Sequence, residues 1–125
     1  MRLVGSFVFV VCLGLTAPCY AQQSSAESDC MALPAAAQSG CLEKLANAAD
    51  AKLNEVYRRA ISRHRKAELK KAQQAWIVFR DMDCGALAAY EWGHGTGMGS
   101  ATESCILDKT EQRTRELVSR YIERR

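Results

Sequence analysis

The chain has 125 residues, a formal net charge of +3 and six cysteines. That length supports one domain with one modest core and excludes a multi-domain enzyme. So small a positive surplus does not by itself point to nucleic acid.

The first residues have the make-up of a secretory signal. Arg2 gives a positive start, Leu3 to Leu15 is an almost unbroken apolar run, and Pro18 breaks it. Cys19-Tyr20-Ala21 then suits cleavage after Ala21. The run is shorter than the roughly 20 residues a membrane-spanning helix needs. Residues 1–21 therefore read as a cleaved signal peptide, and Gln22–Arg125 as a mildly basic periplasmic or secreted chain with no stable membrane insertion. Lipid attachment at Cys19 fits poorly, because Pro18 precedes it where a small residue is needed.

Cys12 and Cys19 leave with the signal, so Cys30, Cys41, Cys84 and Cys105 remain in an oxidising compartment. Two disulfides follow, with three possible pairings. Local loop closure favours Cys30–Cys41 with Cys84–Cys105. No C-x-x-C pair is present, which argues against zinc.

Residues 22–29 are polar and Ser-rich and read as a flexible leader to a helical domain over 30–125. Cys30 to Gly40, with Pro34 and an Ala-rich stretch, reads as a loop with one helical turn. From Cys41 the period is helical: Leu42, Leu45, Ala49, Leu53, Val56, Tyr57, Ala60 and Ile61 form one apolar face. Asn47, Asp50, Lys52, Arg58 and Arg59 fall on the other side. No Pro or Gly occurs from Leu42 to Cys84. A single helix of that length does not bury its face alone, so a turn near Ser62–Lys66 is expected to fold it back.

The second helix is predicted over Ala67–Glu91, with Leu69, Ala72, Trp76, Phe79, Leu87 and Tyr90 as its inner stripe and Ile77 and Val78 widening it. Gly85 is its weak point, at about 1 kcal/mol against Ala. The alternate glycines from Gly93 to Gly99 then break the chain. Ser100 and Glu103 have capping-box spacing for a third helix running to about Ile122. Ile106, Thr110, Leu117 and Tyr121 line its inner side, with Glu111/Arg115 and Glu116/Arg120 as outer i, i+4 pairs. No segment alternates convincingly at a period of two. The expected fold is all-α: a small three-helix bundle with two disulfides and a Gly-rich loop between helices 2 and 3.

Several side chains stand out against this frame. Trp76 and Phe79 suit core packing. Arg80 and Asp81 are placed to pair with Glu116 or Arg113 across the bundle. Asn54 is mildly unfavourable inside a helix, which suggests a hydrogen bond to another segment. Arg58, Arg59, Arg63, Arg65, Lys66, Lys70 and Lys71 make a basic run, with Glu68 the one acid in it. It reads as a solvated corner, or as a face for anionic lipid or cell-wall polymer. No aromatics interleave it, which weakens a nucleic-acid reading.

The glycine stretch is not a phosphate loop. Met98 or Ser100 falls where the last glycine of G-x-G-x-x-G belongs, no strand precedes it, and G-K-[ST] is absent. It reads instead as an inter-helix loop that presents Trp92, His94 and Met98 to a protein partner. His64 and His94 are the only histidines, and neither has nucleophile or metal spacing beside it. Asp81 and Asp83, two apart on a helix, face different directions. No catalytic residue, cofactor or metal site is expected.

Four sub-motifs occur in one order. They are L-N-x-x-Y (Leu53, Asn54, Tyr57); A-Q-x-A-W-x-x-F-R-D-x-x-C (Ala72 to Cys84); G-S (Gly99, Ser100); and C-x-x-x-x-T-x-x-R-T-x-E-L (Cys105 to Leu117). Together with Cys30 and Cys41, this order resembles the LprI-type lysozyme-inhibitor family over nearly all of the mature chain. The departure is G-H-G-T-G-M-G-S, where members often carry a short G-G-S before the third helix. The resemblance implies an exported helical protein that inhibits a lysozyme-like muramidase, and supplies no catalytic residues. The motif residues Asn54, Tyr57, Trp76, Phe79, Arg80, Asp81, Arg113 and Glu116 then look structural. Two rival functions fit the same export and scaffold: an immunity protein against a periplasmic toxin, and a structural envelope protein binding anionic lipid or glycan.

Overall fold

The computed structural model describes residues 23–63, 65–93, 95 and 97–123. The segment read as a signal peptide, His64 and His94 lie outside them. The elements are α1 (Gln23–Met31), α2 (Ala35–Ile61), α3 (Lys66–Met82), a π turn (Asp83–Leu87), α4 (Ala88–Trp92) and α5 (Met98–Tyr121). The described residues contain no strand, and the fold is all-α. The disulfides are Cys30–Cys41 and Cys84–Cys105.

The expected three helices correspond to α2, to α3 with its continuation through α4, and to α5. Toward the N-terminus two boundaries differ. The stretch read as a flexible leader is helical, as α1, and α2 starts at Ala35 rather than Cys41. Pro34 explains the second difference. It occupies the N-cap of α2 with φ −53°, its ring already suited to entering a helix. Tertiary fastenings explain the first, since α1 has no apolar stripe to find by periodicity. Cys30 ties it to α2, and the Gln38 amide donates to the carbonyls of Met31 (2.9 Å) and Leu33 (3.0 Å) just past its end. Ser104 Oγ of α5 donates to Glu27 Oε1.

The main packing is α2 against α5. Leu42, Ala46, Ala49, Leu53, Val56 and Ala60 recur at three- and four-residue steps and are all buried. From α5 come Ser100, Leu107, Thr110, Arg113 and Leu117. One cluster gathers Leu53, Val56, Ala60, Leu69 and Leu117, with Tyr57, Trp76 and Tyr121 packed around it. Each fully buried Leu here contributes about 1.5–3 kcal/mol.

The expected capping box does not form. α5 begins at Met98, its N-cap Gly97 makes no side-chain cap bond, and Ser100 is buried inside the first turn. Gly99 accounts for the earlier start. A Cβ there would lie 2.9 Å from Ser39 Oγ, so glycine lets the first turn of α5 close against α2.

The larger correction concerns α3. Of its expected inner stripe, Leu69 is buried and Trp76 half-buried, whereas Phe79 is 53% exposed, Leu87 54% and Tyr90 90%. Ala72, Ile77 and Val78 also face out. The buried positions are Leu69, Gln73, Arg80 and Cys84. The disulfide decides this. Cys84 must face Cys105 on α5, and stepping back from it by threes and fours gives Arg80, Trp76, Gln73 and Leu69. At Gly85 the helix widens rather than ends: the Ala88 N–H bonds to Asp83 O, a π-type i→i−5 link. No helix among the described residues is long and apolar enough to cross a membrane.

Candidate functional site

A polar network stitches α3 onto the bundle. Arg80, 8% exposed, donates from Nη1 to Asp50 Oδ1 on α2 (2.7 Å) and to Thr110 Oγ1 on α5 (3.0 Å), and from Nε to Asp81 Oδ1 (2.9 Å). One guanidinium thus joins three helices. Burial disfavours its charge, but Asp81 and Asp50 outweigh that and leave its pKa raised. Arg113 of α5 donates to Gln73 Oε1 on α3 (3.0 Å) and to Glu116 Oε2 (2.6 Å). Trp76 lies between the two cations, its ring centroid 5.3 Å from the Arg80 Cζ and 5.8 Å from that of Arg113.

This network places most of the motif residues and corrects their partners. The expected cross-bundle pairing of Arg80 with Glu116, or of Asp81 with Arg113, is replaced by Arg80–Asp50 and Arg113–Gln73. Asp50 and Gln73 were not recognisable as partners: Asp50 lies on the polar side of the α2 stripe, and Gln73 carries no charge to draw notice. Tyr57 packs beside the core. Asn54 does not bridge segments: it is exposed and its side chain makes no hydrogen bond among the described residues. Phe79 is exposed beneath Lys109, whose Nζ lies 4.9 Å over the ring and 2.7 Å from Asp83 Oδ2.

The proposed loop contacts are not gathered into one described site. Met98 opens α5 half-buried and helps line a cavity of about 500 Å³ with Glu27, Met31, Gln38, Ala101 and Ser104. Trp92 ends α4, and only its backbone is described. Asp83 sits beside Cys84 and Cys105, a grouping with metal-ligand types, but both sulfurs are held in a disulfide and neither is a thiolate ligand.

Charge is unevenly distributed. Arg58, Arg59, Arg63, Arg65, Lys66, Lys70 and Lys71 are all exposed where α2 turns into α3. Arg65–Glu68, at 3.7 Å and highly exposed, neutralises little of that corner. At the α1–α5 contact, carboxylates crowd instead. Burial, then the neighbouring Glu27, raises the pKa of Asp108. Burial also raises Glu111, against Arg115 and with Asp108 and Glu27 adding to the rise. Glu111 Oε2 is buried without a hydrogen-bond partner among the described residues, and Glu116–Arg120 forms as an outer i, i+4 pair (2.7 Å).

Glu111→Gln is expected to stabilise the protein at neutral pH by about 1 kcal/mol or less, because it removes a partly desolvated negative charge that lies near Asp108 and Glu27. The pH dependence has a definite sign. At Asp108 and Glu111 the native state takes up protons before the unfolded chain does. Stability therefore rises as pH falls through their raised values and levels off at the ordinary carboxylate range. At Glu116 burial pushes the pKa up, but bonds from Arg113 and Arg120 hold it lower, so its contribution is lost below that range. Urea titrations at stepped pH should show a maximum on the acid side of neutral, and Glu111→Gln should flatten the rise.

A family model described as "Lysozyme inhibitor LprI" matches residues 19–117. An uncharacterized protein of Rhizobium meliloti (strain 1021) is 34% identical, the alignment covering 82% of this chain and 84% of that protein. No solved structure matches. The matched span takes in both disulfides, the Arg80–Trp76–Arg113 network and the loop between α4 and α5, and on it the chain belongs to the LprI lysozyme-inhibitor family.

Proposed function

We propose that the exported chain binds a peptidoglycan-cleaving muramidase and occludes its cleft, acting as an inhibitor and not an enzyme. Membership of the LprI family over residues 19–117 is the observation that carries this reading. The scaffold suits it: two disulfides and a buried ionic network stiffen a small helical body, and preorganisation lowers the entropy cost of binding. The reading places the protein in the periplasm or outside the cell, with the segment before Gln22 removed.

In this reading the loop between α4 and α5 enters the cleft. Muramidase clefts work through a carboxylate pair. His94 and the loop's backbone N–H groups hydrogen-bond to those carboxylates, while Trp92 and Met98 give apolar contact on either side.

The test is inhibition of bacterial-wall lysis by a c-type lysozyme, using oxidised Gln22–Arg125. Near-stoichiometric inhibition is expected. Folded protein that fails to inhibit would reject the muramidase, and would turn the search to periplasmic toxins and anionic envelope polymers. A Trp92→Ala/His94→Ala variant is expected to weaken inhibition by about tenfold or more, as a loop anchor should. Unchanged inhibition by that variant would remove the loop from the contact.

A further inference from the structure

The side of α3 and α4 turned away from the core is apolar. Ala75, Val78, Phe79 and Met82 are all exposed and stand at i, i+3, i+4 and i+7. That spacing puts them on one helix face, as in helices that seat in a partner's groove. The π turn extends the strip. Its i→i−5 link takes one more residue into the turn than an α-helix would, which brings Ala86 and Tyr90 into line with Met82 instead of letting them drift around the axis. Tyr90 is 90% exposed. The inner face of the same helix meanwhile holds Gln73, Arg80 and a half-buried Trp76. A helix that buries its amide and guanidinium while presenting Val, Phe, Met and Tyr to water has an arrangement suited to a binding surface.

The charges around the strip leave a small negative surplus: Asp50, Asp81, Asp83 and Glu91 stand against Arg80 and Lys109, which pair with the first three. Between Ala72 and Trp92 the only basic residue is Arg80, which is buried and hydrogen-bonded, whereas Asp81, Asp83 and Glu91 are acidic. Lys109 crosses from α5 but is held by Asp83. The basic corner lies at the other end of α3.

We infer that this face docks a cationic protein surface, namely the flank of the muramidase; the inference rests on the muramidase reading above. An enzyme that works on an anionic cell wall gains from a basic exterior, which concentrates it on its substrate. The carboxylate rim steers such a partner in, and the Val78–Tyr90 strip supplies the contact that excludes water.

The test compares Met82→Lys, Tyr90→Ala and a control, Lys70→Gln/Lys71→Gln, in oxidised Gln22–Arg125. The altered positions are exposed, and circular dichroism checks that each variant is folded. Binding to a c-type lysozyme is titrated, alongside inhibition of wall lysis. Tyr90→Ala is expected to weaken binding by about tenfold and Met82→Lys by more, since it sets a like charge against the partner, while the control binds as the wild type does. If the wild type inhibits and both face variants inhibit equally well, the docking face is wrong and the muramidase reading stands. If the folded wild type neither binds nor inhibits, both fall. Concentration-dependent self-association abolished by Met82→Lys would overturn the inference by assigning the face to the basic corner of a second copy.

Discussion

Reduction of the two disulfides is expected to unfold most of the domain under conditions where the oxidised protein is stable. The bridges span separations of 11 and 21 residues, and loops of that size stabilise by about 3 kcal/mol each through the entropy they remove from the unfolded chain. Their combined loss is comparable to the whole stability of a typical small domain, about 5–15 kcal/mol. The two losses should look different. Without Cys30–Cys41, α1 loses its covalent tie to α2, and although the Gln38 amide and the Ser104–Glu27 bond remain, a helix with no apolar face of its own should melt while α2 and α5 stay packed. Without Cys84–Cys105, the constraint that turns Arg80 and Gln73 inward is gone. The Val78–Phe79–Met82 side then competes for the core, giving a broader transition as well as a lower midpoint. Urea denaturation followed by far-ultraviolet circular dichroism, on Cys30→Ala/Cys41→Ala and Cys84→Ala/Cys105→Ala separately, checks this. A reduced protein with an unshifted midpoint would show that the helical core suffices without the bridges.

The same competition explains which parts of the fold were legible in the sequence. The burial of α2 was, because it carries one dominant apolar stripe; on α5 periodicity found Thr110 and Leu117 but missed the buried Ser100, Leu107 and Arg113, and put the half-buried Ile106 and Tyr121 on the inner side. The disulfide pairing was, because local loops close most readily. The orientation of α3 was not. Phe79, Val78 and Ile77 lie on one side and Leu69 and Trp76 on another, so hydrophobicity alone counts two candidate inner faces. Stepping back from Cys84 in threes and fours would have chosen between them, since that cysteine has to reach α5. α1 was illegible for another reason: its helicity depends on fastenings from Cys41, Gln38 and Ser104, none of them local to the segment. Of the motif residues, Arg80, Arg113 and Trp76 were recognisable as structural, but their partners Asp50 and Gln73 required three dimensions. Asn54 shows the limit of a motif match, being exposed with no side-chain bond among the described residues.

Trp76 and Phe79, both aromatic and three residues apart, should respond very unequally to truncation. Full burial would put Trp76→Ala at about 3–5 kcal/mol. Trp76 is only half-buried, which lowers that figure, but its ring also flanks two guanidiniums, each contact adding about 0.5–2 kcal/mol in a partly dry setting. The expected loss is about 3 kcal/mol. Arg80→Met should cost less, about 2 kcal/mol: Thr110 loses its donor in a buried site, but the Asp50 side chain is 44% exposed and can recover water. Phe79→Ala removes a ring that covers no core and should change stability by about 0.5 kcal/mol or less. Chemical denaturation of the three variants measures these differences. Equal losses at Trp76 and Phe79 would mean that α3 presents its other face to the bundle. If Phe79→Ala leaves stability unchanged yet weakens muramidase binding, the exposed ring belongs to the contact surface, and the polar inner face of α3 is what holds that surface outward.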